Sequence, residues 1–98
     1  MDLKEREKVY ERAINEWGEF SQLDQAIEEM AELIVALNKY KRTNMDLSKR
    51  KDEIMENLIE EIADTKMCIE QLEMMFGKEK VSVMLDKKMQ KFLECFNR

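Results

Sequence analysis

The 98-residue chain has no histidine and no proline, and glycine occurs only at Gly18 and Gly77. Without histidine there is no imidazole acid or base, no Ser-His or Cys-His nucleophile pair, and no Glu-x-x-His di-iron site. Two isolated glycines cannot write a P-loop or a dinucleotide-binding fingerprint. No stretch approaches the ~18 uninterrupted apolar residues of a membrane span, and Met1-Asp2-Leu3-Lys4-Glu5 opens no signal-peptide core. A cytoplasmic protein without a membrane partner is therefore expected. Basic excess is missing too: 17 Lys and Arg stand against 22 Asp and Glu, a net charge of −5. That balance argues against a broad electrostatic grip on nucleic acid. The two cysteines, Cys68 and Cys95, sit in apolar neighbourhoods and read as reduced core thiols.

What is present is helical. The composition is 44% hydrophobic and 40% charged, rich in Leu, Met, Glu, Lys and Ile. Hydrophobic periodicity and punctuation give four helices and an all-α, four-helix bundle-like fold, read as one domain over residues 1–98. The first starts after Asp2, a capping residue three before Glu5, with Val9, Tyr10, Ala13, Ile14 and Trp17 on one stripe. Gly18 interrupts it, and Ser21 is the expected cap of a second helix over about 22–40. Arg42 to Ser48 breaks the pattern, with Asp46 or Ser48 able to cap a third helix. That helix is expected over about 49–76, ending where Gly77 suits a left-handed C′ position. The fourth spans about 79–96, with Val81, Leu85, Met89, Phe92 and Phe96 on one side. A third helix on the order of 40 Å long, with such generous apolar stripes, outgrows a small monomer. A homo-oligomer, dimer or tetramer, is expected.

Two acidic clusters stand out, Glu28-Glu29-Met30-Ala31-Glu32 and Glu60-Glu61-Ile62-Ala63-Asp64. Acidic residues on a charged helix normally form its solvated face, so position must decide. With Ile27 at zero on a wheel of about 100° per residue, the apolar arc of the second helix centres near 300°. Glu29 at about 200° and Glu32 at about 140° flank that arc, while Glu28 turns outward. On the third helix Glu61 borders the apolar arc, Asp64 lies one turn on, and Glu60 points away. Each helix thus carries an i, i+3 acid pair beside its core face. Four carboxylates brought together repel one another unless a cation neutralises them. An all-oxygen donor set without histidine suits a hard ion, Mg²⁺ or Mn²⁺. Two such ions would balance the four charges, as in two-metal phosphoryl chemistry. The plainer reading is a pair of solvated acidic stripes with Lys66 close by in sequence.

The arrangement Glu-Glu-x-x-Glu, a spacer of 28 residues, then Glu-x-x-Asp resembles the signature of the MazG-like all-α nucleoside triphosphate pyrophosphohydrolases, relatives of the dimeric dUTPases and dCTP pyrophosphatases. Trp17-Gly18-Glu19-Phe20-Ser21-Gln22 is similar to the lead-in of small members, and Ala31-Glu32-Leu33 to the usual Ala/Gly-Glu-Leu. The likeness runs from about Trp17 to Phe92, with a spacer at the long end of the family's range. It implies a Mg²⁺-dependent, cytoplasmic, oligomeric enzyme that cleaves a nucleoside triphosphate between the α and β phosphates. The products would be a monophosphate and pyrophosphate. Carried over by position, Glu29, Glu32, Glu61 and Asp64 would be the catalytic metal ligands. Gln22 and Trp17 are offered to the base, although core packing in the first helix's stripe is the stronger expectation for Trp17, and Lys88 and Lys91 to the phosphates. The alternative is a non-catalytic helical interaction or regulatory module of the same fold.

Overall fold

The computed structural model describes residues 1–43 and 51–97. They form four α-helices and a terminal 3₁₀ turn: α1 Leu3–Trp17, α2 Glu19–Thr43, α3 Lys51–Phe76, α4 Lys78–Glu94 and η1 Cys95–Asn97. No strand occurs among the described residues, so the all-α expectation holds. Asp2 caps α1, its Oδ1 accepting from the Glu5 amide at 2.8 Å. This satisfies one of the amides a helix start leaves without a partner.

One residue, Gly18, separates α1 from α2. Its φ of 91° and ψ of 154° lie where a side chain is strained. It closes both helices: its N–H donates to the Ile14 carbonyl at 2.8 Å, and its carbonyl accepts from Gln22 at 3.2 Å. Ser21 is therefore not a cap. It lies inside α2, because the glycine turn restarts the helix earlier than the sequence suggests. At the far end α2 also outruns its expected limit, reaching Thr43, whose hydroxyl donates to the Tyr40 carbonyl at 2.6 Å. The proposed caps Asp46 and Ser48, and the expected start of the third helix at residue 49, lie outside the described residues. Gly77 joins α3 to α4 in the same manner. With φ 127°, it donates to Glu73 at 2.8 Å and accepts from Val81 at 3.0 Å.

The core lies mainly between α2 and α3, with Ala26, Ala36, Leu58 and Cys68 buried there and Tyr10 closing it from α1. Small alanines at the crossing let the two long helices approach closely. A part-buried network pins α1 to α3. Arg6 grips Glu70 through two bonds of 2.8 Å, and the Tyr10 hydroxyl donates to the same carboxylate at 2.6 Å. Paired donors hold the Glu70 carboxyl down to about 2, the Arg6 bonds contributing most and Tyr10 next.

The chain is open. Its Cα radius of gyration is 16.9 Å, against about 13 Å for a compact domain of this length. Its accessible surface is 8261 Å², roughly 2,300 Å² above the expectation for its mass. The apolar side of α4 is wholly exposed, Leu85, Met89 and Phe92 included, and Phe96 of η1 continues it. Two expectations fail for that reason. Cys95 is exposed rather than a core thiol, since among the described residues the C-terminal elements touch the rest of the chain only through α3 and a Lys78–Glu7 ion pair to α1 at 3.2 Å. Trp17 is 65% exposed at the end of α1 instead of completing its buried stripe.

Candidate metal centre and adjoining cavities

Residues 29 and 32 on α2 and 61 and 64 on α3 face each other across the crossing that Ala26 and Ala36 bury. Carboxylate oxygens of Glu29, Glu32 and Glu61 all lie within 4.8 Å of one another. Glu29 and Glu61 are half-buried, and Glu32 is exposed at the mouth. Asp64 is half-buried beside this trio but outside the 4.8 Å set. Glu28 and Glu60 point to solvent, as the helical wheel requires.

The electrostatics are those of crowded anions. Burial raises the Glu29 carboxyl most, and the charges of Glu32 and Asp64 add to the rise. Burial also leads for Glu61, followed by Glu32, Glu29 and Asp64. The Gln25 amide opposes the trend at Glu29, donating to its Oε1 at 2.9 Å. Each of the two half-buried glutamates keeps one oxygen, Oε2, buried with no hydrogen-bond partner, and the neighbouring Thr65 hydroxyl is in the same condition. A buried carboxylate oxygen without a donor is costly. An oxygen-seeking divalent cation is a natural partner for that donor set. Lys66, the local counter-charge that would have made these ordinary surface acids, is exposed and acts instead on Glu70.

A cavity of about 250 Å³ opens on one side of the acids. Tyr10 and Trp17 of α1 form one wall, and Gln22, Gln25 and Glu29 of α2 another. Asp64, Met67, Cys68 and Gln71 of α3 complete it. Gln71 is buried, and its amide donates to Gln22 Oε1 at 3.0 Å. The Cys68 thiol is pushed up, by burial first and then by the charges of Glu29 and Asp64, so it is an inert wall rather than a nucleophile. On the opposite side a second cavity of about 290 Å³ is lined by Glu32, Glu61, Lys39 and Asn57, with Ala31, Val35 and Ala36 as its apolar part.

The structure therefore brings together Glu29, Glu32, Glu61 and Asp64, with Gln22 and Trp17 next to them. It does not bring Lys88 or Lys91. Both are exposed on α4, which packs against α3 but not against α2 among the described residues. The helical wheel sets Gln25 on the stripe of Glu29 and Asn57 and Gln71 on that of Asp64 but gives them no role, and sequence reading missed Lys39. Gln25 carried a usable signal, lying one turn before Glu29; the others depend on how α2 and α3 are paired. No protein-family model, curated protein or solved structure matches the chain.

Proposed function

We propose that the chain is a divalent-metal-dependent nucleoside triphosphate pyrophosphohydrolase of MazG-like type. It would release pyrophosphate and a nucleoside monophosphate. The observation that carries the reading is the convergence of three glutamates from two helices, two of them with a buried oxygen lacking any donor. Glu29, Glu32, Glu61 and Asp64 would hold the ion. Mg²⁺ or Mn²⁺, when bound, neutralises the acids, polarises the scissile phosphate and acidifies a water. Gln25 fixes the Glu29 carboxylate by donating to one oxygen, leaving the other for the ion. Glu32, the exposed member, is placed to orient the attacking water and accept its proton, the task histidine performs elsewhere.

We place the active form as a homo-oligomer. The excess accessible surface of roughly 2,300 Å² matches what helical subunits of this kind bury on association. A second reading, a non-catalytic interaction module, draws on the same exposed α4 face.

The deciding measurement is pyrophosphate release from the eight common NTPs and dNTPs, with and without Mg²⁺ or Mn²⁺. Release that requires the metal supports the enzyme. No release from any triphosphate with metal present removes it and leaves the interaction module.

A further inference from the structure

The acidic cluster has two unlike sides. Toward α1 lies the cavity walled by Tyr10, Trp17 and the bonded amides of Gln22 and Gln71. Toward the open end of α2 lies the cavity of Lys39 and Asn57. The acids separate them: Glu29 and Asp64 border the first, Glu32 and Glu61 the second. Resting on the pyrophosphohydrolase reading, we propose that the substrate lies in one direction only. Its base enters the α1-side cavity, where Gln71 reads the base edge, and its leaving diphosphate lies against Lys39 and Asn57.

Each side suits its end of the molecule. The first cavity offers aromatic and thioether surface with a buried amide, a combination that stacks a flat ring and pairs its edge. Gln71 keeps a carbonyl oxygen and a second amide hydrogen after donating to Gln22, one acceptor and one donor side by side. The volume of about 250 Å³ is ample for a purine or pyrimidine ring. Among the described residues no cation lines that side. The second cavity has the lysine and a carboxamide, donors to phosphate oxygens, and lacks an aromatic wall. A triphosphate laid the other way would put its polyanion beside apolar walls and its base beside a lysine. The phosphate-binding cation is then Lys39, on the same helix as Glu32 and two turns further along, rather than Lys88 or Lys91 of α4.

Two binding measurements test the direction. Trp17 is the sole tryptophan and borders the base cavity, so its fluorescence reports nucleoside monophosphates added to the metal-free protein. Calorimetry with Mg²⁺ and inorganic pyrophosphate reports the other side. We expect Gln71→Leu to weaken monophosphate binding at least tenfold and leave pyrophosphate binding unchanged. Lys39→Met should do the reverse. Circular dichroism checks both folds, and Gln22→Leu replaces Gln71→Leu if the latter unfolds. Monophosphate binding indifferent to the glutamine variants, or pyrophosphate binding indifferent to Lys39→Met, overturns the direction. Neither measurement needs turnover. Split binding without pyrophosphate release from any triphosphate keeps the direction and removes the hydrolase, while hydrolysis with neither variant responding does the opposite.

Discussion

Gln25 and Glu29 lie one turn apart on α2, and the amide of the first holds one carboxylate oxygen of the second at 2.9 Å while the other oxygen is buried and unpartnered. The amide acts to lower the Glu29 pKa against burial, Glu32 and Asp64. Gln25→Leu should therefore raise the Glu29 pKa further, as followed by carboxyl carbon NMR. Mg²⁺ affinity should fall more at pH 6 than at pH 8, because protons then compete better for the site. An unchanged Glu29 titration would show that the bond does not form in solution.

Crowding predicts an unusual stability response. Glu29 and Glu61 have raised folded pKa values. Their contribution is favourable below the unfolded value near 4.5 and is lost as pH rises through the folded values. In EDTA at neutral pH, Glu61→Gln should melt higher than the parent, since a part-buried charge that its acidic neighbours also repel is gone. With Mg²⁺ the order should reverse, because only the parent gains fully by mass action. Thermal melts in the two conditions check both signs, and equal metal responses would place the site elsewhere.

Turnover should separate inner from outer acids. Gln at position 29, 32, 61 or 64 should cost on the order of 10²-fold or more in kcat, by removing charge stabilisation in the transition state. Glu28→Gln and Glu60→Gln, whose carboxylates face solvent, should cost far less. Steady-state pyrophosphate release measures this, and equal losses in both sets would refute the assignment.

The Arg6–Glu70–Tyr10 network predicts an acid limb. The Glu70 carboxyl is held at about 2, so its stabilisation is complete above the unfolded value near 4.5 and is lost as pH falls toward 2. Arg6 is about a third exposed, which screens the pair, and a loss of about 1–2 kcal/mol is expected. Urea midpoints between about pH 5 and 2.5 should fall less steeply for Glu70→Gln than for the parent.

Assembly is checked by light scattering at micromolar concentration. A mass of at least twice 11.8 kDa is expected, and Phe92→Glu with Phe96→Glu should lower it by putting charge on the exposed apolar face of α4 and η1.

The parts of this architecture legible in the sequence were those carried by one helix at a time. The 3.6-residue period placed Glu29 and Glu61 beside the core and turned Glu28 and Glu60 outward, and Asp2 and Gly77 marked ends correctly. Contacts between helices were not legible. Nothing local announces that Gln71 meets Gln22 across 49 positions, or that Lys39 and Asn57 share a cavity. Ser21 misled because a capping side chain looks the same whether or not a glycine turn has already started the helix. Trp17 misled because the stripe that predicts burial says nothing about whether a neighbour reaches its last turn.

Gly18 gives the molecule a division of labour. The acids ride on α2 and α3, whereas Tyr10 and Trp17 of the ring-sized cavity ride on α1, joined to α2 through a single residue at φ 91°. No atom crowds a Cβ built there, so the glycine is required by its dihedral angle and not by space. The angle at which α1 leans over the site is set by that joint together with the Arg6 and Tyr10 bonds to Glu70. A change in the lean of α1 would therefore reshape that cavity while the carboxylates of α2 and α3 keep their places.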